Sequence, residues 1–192
     1  MDVQRGVVGR IRLDGWTKTR RAEKLNQGGE KCDIYNHISY EHAYQNVHAN
    51  SSDTDDTYLS YLSLLASALN AMPKEVALKA IKECVFYTFS EDELGRFFHA
   101  DQLAGRHVVL INSDLFEIED DEMEDKIVKT IMHELAHFWL GHKLEYDSET
   151  RISYFKDGAH CEKAAERVAA DWFETWEHIQ EIQQKLWAEQ TH

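Results

Sequence analysis

Hydrophobic spacing divides the chain into alternating short elements. Over 58–69 apolar residues recur every three or four positions, with Leu59, Leu62, Leu65 and Leu69 on one face, which predicts a core helix. Pro73 suits the first turn of a second helix running to about residue 84. Residues 85–89 and 107–112 are β-branched and aromatic and predict strands, with a third short strand over 97–100 and Gly105 in a turn. Together these predict a small antiparallel sheet. The segment 107–112 reads equally well as a core strand or as an edge able to pair with an extended peptide. A third helix is predicted over 127–142, where Val128, Ile131, Met132, Leu135 and Trp139 form an apolar stripe. Residues 143–159 read as a polar loop; Tyr146 and Tyr154 within it and His160 at its end are potential hydrogen-bond donors, none given a catalytic role. A long helix follows over 160–189, with Cys161, Ala165, Val168, Ala169, Trp172, Trp176 and Ile179 along one side. The class is α+β: a small sheet packed on the 127–142 helix and on the long C-terminal helix. Residues 1–55 carry little periodicity and read as a partly extended or mobile N-terminal segment, ahead of one domain over 56–192.

The chemistry lies in the third helix. His133-Glu134-Leu135-Ala136-His137 is an H-E-x-x-H motif. Residues four apart on a helix share a face, so the two imidazoles can grip one metal ion, and Glu134 can take a proton from water held there. The motif arises by accident in roughly one ordinary chain in a few hundred, given average residue usage. Its surroundings argue for more than accident. Between Thr130 and Gly141, Glu134 is the one acidic or basic residue apart from the histidines, as a buried catalytic helix requires.

Catalytic zinc sites use three protein ligands and leave a position open. A third histidine in the spacing H-E-x-x-H-x-x-G-x-x-H would fall on Lys143, so that class is excluded. The remaining source is a carboxylate from the long helix, where Glu162 and Glu166 lie four apart at the border of the apolar stripe. Glu162 is angularly closer to the buried side and is the preferred ligand. Glu166 is then a group orienting a histidine, or a solvated residue. The expected site is one Zn²⁺ on His133, His137 and Glu162, with Glu134 as general base for peptide-bond hydrolysis.

Composition narrows the partners. The net charge of −14 disfavours direct binding to nucleic acid and favours a basic protein or peptide. No apolar run is long enough to span a membrane. Three widely spaced cysteines, Cys32, Cys84 and Cys161, read as reduced thiols in a cytoplasmic protein. Two other functions fit parts of the pattern. One is a non-catalytic zinc-binding interaction module, betrayed by a protein group filling the fourth position. The other is a helical interaction protein using the Trp-rich C-terminal helix, betrayed by absence of bound metal.

Residues 133–142 (H-E-L-A-H-F-W-L-G-H) followed by 162–171 (E-K-A-A-E-R-V-A-A-D) resemble the ImmA/IrrE-like metallopeptidases of the Glu-zincin group. The resemblance spans about 85–175 with the preceding strands. It implies a zincin-like fold and a cytoplasmic endopeptidase, often one acting on a transcriptional repressor. It also implies that the first Glu of the second helix, here Glu162, completes the zinc site. Glu166, and the long helix continuing through Trp172 and Trp176, depart from the usual family pattern.

Overall fold

The computed structural model describes residues 47–48, 55–90, 92–102, 105–117, 121–147, 152–155 and 157–190. The expectation for residues 1–55 otherwise lies outside them. The described elements run β1 (Val47–His48), α1 (Asp55–Ala71), α2 (Lys74–Glu83), β2 (Cys84–Phe89), β3 (Gly95–Phe98), β4 (His107–Asn112), α3 (Asp121–Leu140), β5 (Leu144–Asp147), β6 (Ile152–Phe155) and α4 (Gly158–Gln190). The α+β, zincin-like class follows from this order. No helix among the described residues is long and apolar enough to cross a membrane.

The sheet has the order β1-β2-β4-β3 and is mixed rather than antiparallel. The strands β2 and β4 pair parallel, Phe86 opposite Val109, while β3 pairs antiparallel with β4, Phe97 opposite Val109. The reason is the path of the chain. After β2 it passes to the far side of β4's position, returns as β3, and reverses again into the gap. Two reversals leave β4 parallel to β2. They also make β4 a central strand, so the edge open to an extended peptide is β3, not 107–112.

One face of the sheet is packed. Cys84, Phe86, Phe97, Val109 and Ile111 are buried against helices, whereas Tyr87 on the opposite face is 39% exposed. This alternation is the period of two that strands impose. In α1, Tyr61, Leu62, Leu65 and Leu69 are fully buried. In α4, Ala165, Ala169, Trp172, Trp176 and Ile179 are buried at helical spacing, and the Trp176 indole donates to Ser67 Oγ at 2.8 Å.

The stripe of α3 departs from expectation at its end. Val128, Ile131, Met132 and Leu135 are buried, but Trp139 is 38% exposed and Phe138 takes the core position. At 3.6 residues per turn the site below Leu135 falls between residues 138 and 139, and spacing alone does not choose. The predicted polar loop is likewise corrected. Residues 144–147 and 152–155 pair as two antiparallel strands with Leu144 opposite Phe155, and α4 begins at Gly158. Four-residue strands show too few alternations to stand out from polar neighbours.

Candidate metal centre

Helix α3 carries His133, Glu134 and His137, and the first turns of α4 carry Glu162. The long buried contact between these two helices brings the side chains together. His133 Nε2 lies 3.1 Å from His137 Nε2 and 3.1 Å from Glu162 Oε2, and His137 Nε2 lies 3.6 Å from that same oxygen. Zinc binds nitrogen and carboxylate oxygen at about 2.0–2.1 Å in a tetrahedron, whose ligand atoms are then about 3.3 Å apart. The triangle of donors therefore has the edges of one face of a zinc tetrahedron, and two imidazoles with one carboxylate suit that ion. Among the described residues these three form the one group of His, Cys, Asp or Glu donors close enough to hold a metal. Glu166 is exposed and Cys161 lies outside the group.

The triangle is walled on one side and open on the other. His137 is 1% exposed, whereas the side chains of His133 and Glu162 are 26% and 45% exposed. The His137 ring stacks on Phe155 of β6 with centroids 4.4 Å apart and planes at 2°. Its Nδ1 lies 2.9 Å from Nδ1 of His142. Neither Phe155 nor His142 was assigned a role from sequence. Phe155 carried no signal, because the hairpin that presents it was not legible. For His142 the signal was the glycine before it, four residues past the second motif histidine.

Glu134 is buried beneath the edge strand. A Cβ placed on Gly95 would stand 3.1 Å from Glu134 Cγ and Oε1, and 2.6 Å from Thr130 Cγ2. The strand lies directly on the helix because residue 95 has no side chain. Thr130 cannot readily turn aside, since its hydroxyl donates to Lys126 O at 2.7 Å. Gly95→Ala is therefore expected to lift β3 or displace Glu134. The fold should lose about 1–3 kcal/mol in urea unfolding, as overpacked sites do, and hydrolysis should fall beyond what the lost fold explains.

Burial drives the electrostatics. Desolvation, then the Glu162 and Glu93 charges, push the Glu134 carboxyl from 4.5 up to about 8, opposed by Arg96. Desolvation, then His133 and His142, push His137 from 6.5 down to about 3. A cation in the triangle would reverse the first shift and exploit the second, since a ligand imidazole must be neutral.

Without metal the two shifts have opposite signatures. The folded state keeps the Glu134 proton longer than the unfolded chain, so stability falls as pH rises from 4.5 to about 8. The folded state refuses a proton at His137, so stability falls as pH drops from 6.5 towards 3. These two slopes offset each other between about 4.5 and 6.5. The lowered His107 and His142 add a further fall towards acid, so the metal-free protein should be most stable near the upper end of that window. Urea unfolding of chelator-treated protein across pH tests this. Glu134→Gln should remove the decline on the alkaline side, and a decline that persists in that variant would contradict the assignment.

Residues 78–173, half of the chain, match the family described as the IrrE N-terminal-like domain, a peptidase family. The chain belongs to this family. The IrrE-like match takes in β2, β3, β4 and α3, the hairpin and the first half of α4, and so every residue of the triangle together with Glu134, Gly95 and His142. A metallopeptidase-type activity is what the IrrE-like family supports. No curated protein and no solved structure matches the chain significantly.

Proposed function

We propose that the protein is a zinc metallopeptidase holding one Zn²⁺ on His133, His137 and Glu162, with Glu134 as general base. The observation that carries this is the triangle of donor atoms, with edges of 3.1, 3.1 and 3.6 Å, beside a buried carboxylate on the same helix. Bound zinc would acidify a water and polarise the peptide carbonyl. Glu134 would serve as the base that accepts a proton from the attacking water and returns it to the leaving nitrogen, and its burial would keep bulk water from competing. The exposed sides of His133 and Glu162 leave the fourth position reachable by substrate.

The edge strand supplies the means of holding a polypeptide. Asn112 N donates to Leu94 O at 2.9 Å, which makes these two a hydrogen-bonded antiparallel pair. In such a ladder bonded and non-bonded pairs alternate. Gly95 opposite Ile111 and Phe97 opposite Val109 are then non-bonded, and their N–H and C=O groups point away from β4. An extended substrate adding to β3 pairs with Gly95 and Phe97, and Gly95 is the residue against Glu134. The charge of −14 favours a basic protein as substrate, such as a DNA-binding regulator. The free thiols of Cys84 and Cys161 accord with a cytoplasmic location.

Elemental analysis of purified protein is expected to give about one zinc per chain. Cleavage of an unfolded basic protein should stop with a chelator and return with zinc. No metal after zinc is supplied would overturn the reading. One zinc without hydrolysis of any peptide would make the domain a zinc-binding interaction module.

A further inference from the structure

Helix α3 stops at Leu140, and Gly141 takes a left-handed conformation with φ 69°. Gly141 N donates to Phe138 O at 3.1 Å, and His142 N donates to His137 O at 3.0 Å. These are the two bonds of a Schellman cap, in which the residue after the glycine folds back over the residue five positions earlier. The contact made there is ordinarily apolar. Here it joins two imidazoles, Nδ1 to Nδ1 at 2.9 Å.

That contact has a chemical direction. A histidine offering Nε2 to a metal carries its proton on Nδ1 and needs an acceptor for it. His137 Nε2 is the nitrogen in the donor triangle, so as a metal ligand His137 would carry its proton on Nδ1 and donate it to His142 Nδ1, leaving His142 its own proton on Nε2. Stacking on Phe155 fixes the plane of the His137 ring, but a flat apolar face cannot choose a tautomer. We propose that His142 is a positioning residue that selects the tautomer and aim of His137, and that Gly141 is the residue whose conformation brings it there. This rests on the reading of His133, His137 and Glu162 as zinc ligands. The helix cap and the metal centre are thereby one device, written in the sequence as glycine and histidine four and five positions after the second motif histidine.

The test is zinc affinity of the full chain, measured by competition with a chromophoric chelator, with thermal melts of the metal-free proteins as a check on folding. His142→Ala should weaken zinc binding by about 10–100-fold, the usual effect of losing a ligand's hydrogen-bond partner. His142→Asn should stay within about threefold of wild type, because its Oδ1 can accept where His142 Nδ1 does. If the alanine variant does not fold, His142→Leu, which fills the space without an acceptor, takes its place. Affinity of the alanine or leucine variant within about twofold of wild type would overturn the proposal, as would an asparagine variant that loses as much. Wild type that binds no zinc would overturn the metal-centre reading itself, and this inference with it.

Discussion

Glu134→Gln is expected to lower kcat by a factor of about 10²–10⁴, the span general acid–base catalysis supplies, while the protein still holds one zinc. The substitution keeps the shape of a side chain that is 8% exposed and wedged against Gly95 and Thr130. It removes only the ability to gain and lose a proton. Without metal, folding at neutral pH should be at least as favourable as in wild type, because the buried carboxyl must take up a proton on folding and the amide need not. Zinc binding should persist, because the triangle is built from His133, His137 and Glu162 and does not use Glu134. The measurement is paired: peptide hydrolysis and zinc content on the same preparation. Wild-type hydrolysis by this variant would remove Glu134 from the mechanism. Zinc lost along with activity would show that the carboxylate helps hold the ion.

What the sequence disclosed about this site followed from local periodicity. His133 and His137 are one helical turn apart, so a helix over 127–142 gives them a shared face, and the structure brings Glu162 to 3.1 Å from His133 while Glu166 is exposed. What stayed hidden depends on contacts between distant segments. The direction of β4 is set by where β3 is inserted, and no residue within 107–112 encodes it. The need for glycine at residue 95 exists only because that strand lies on Thr130 and Glu134. Phe155 reaches His137 from a hairpin whose strands are too short for their alternation to register. His142 is the intermediate case. The Gly-His pair after the motif is a legible helix stop, and the imidazole contact follows from the geometry of that stop.

The same asymmetry between the buried and the open side of the triangle decides how the proposed ligands respond to removal. His137→Ala and Glu162→Ala should each reduce zinc from about one per chain to below about a tenth after dialysis, since a site with two of three ligands holds zinc poorly. Their metal-free behaviour should differ. His137 is 1% exposed and stacked on Phe155, so its removal leaves a void in the wall of the site, and the metal-free fold should weaken by about 1–3 kcal/mol. The Glu162 side chain is 45% exposed, so its removal should leave the metal-free fold within about 0.5 kcal/mol of wild type. Zinc at about a hundredfold over its Kd should raise the stability of wild type by about 2.7 kcal/mol. For a domain of this size that moves Tm upward by about 5–10 °C, and neither variant should show the shift. Glu166→Ala completes the comparison: its side chain lies outside the triangle, so it should keep both the zinc and the shift in Tm. If instead Glu162→Ala kept its zinc and Glu166→Ala lost it, the third ligand would be Glu166, and α4 would have to turn about its axis relative to α3 to present it.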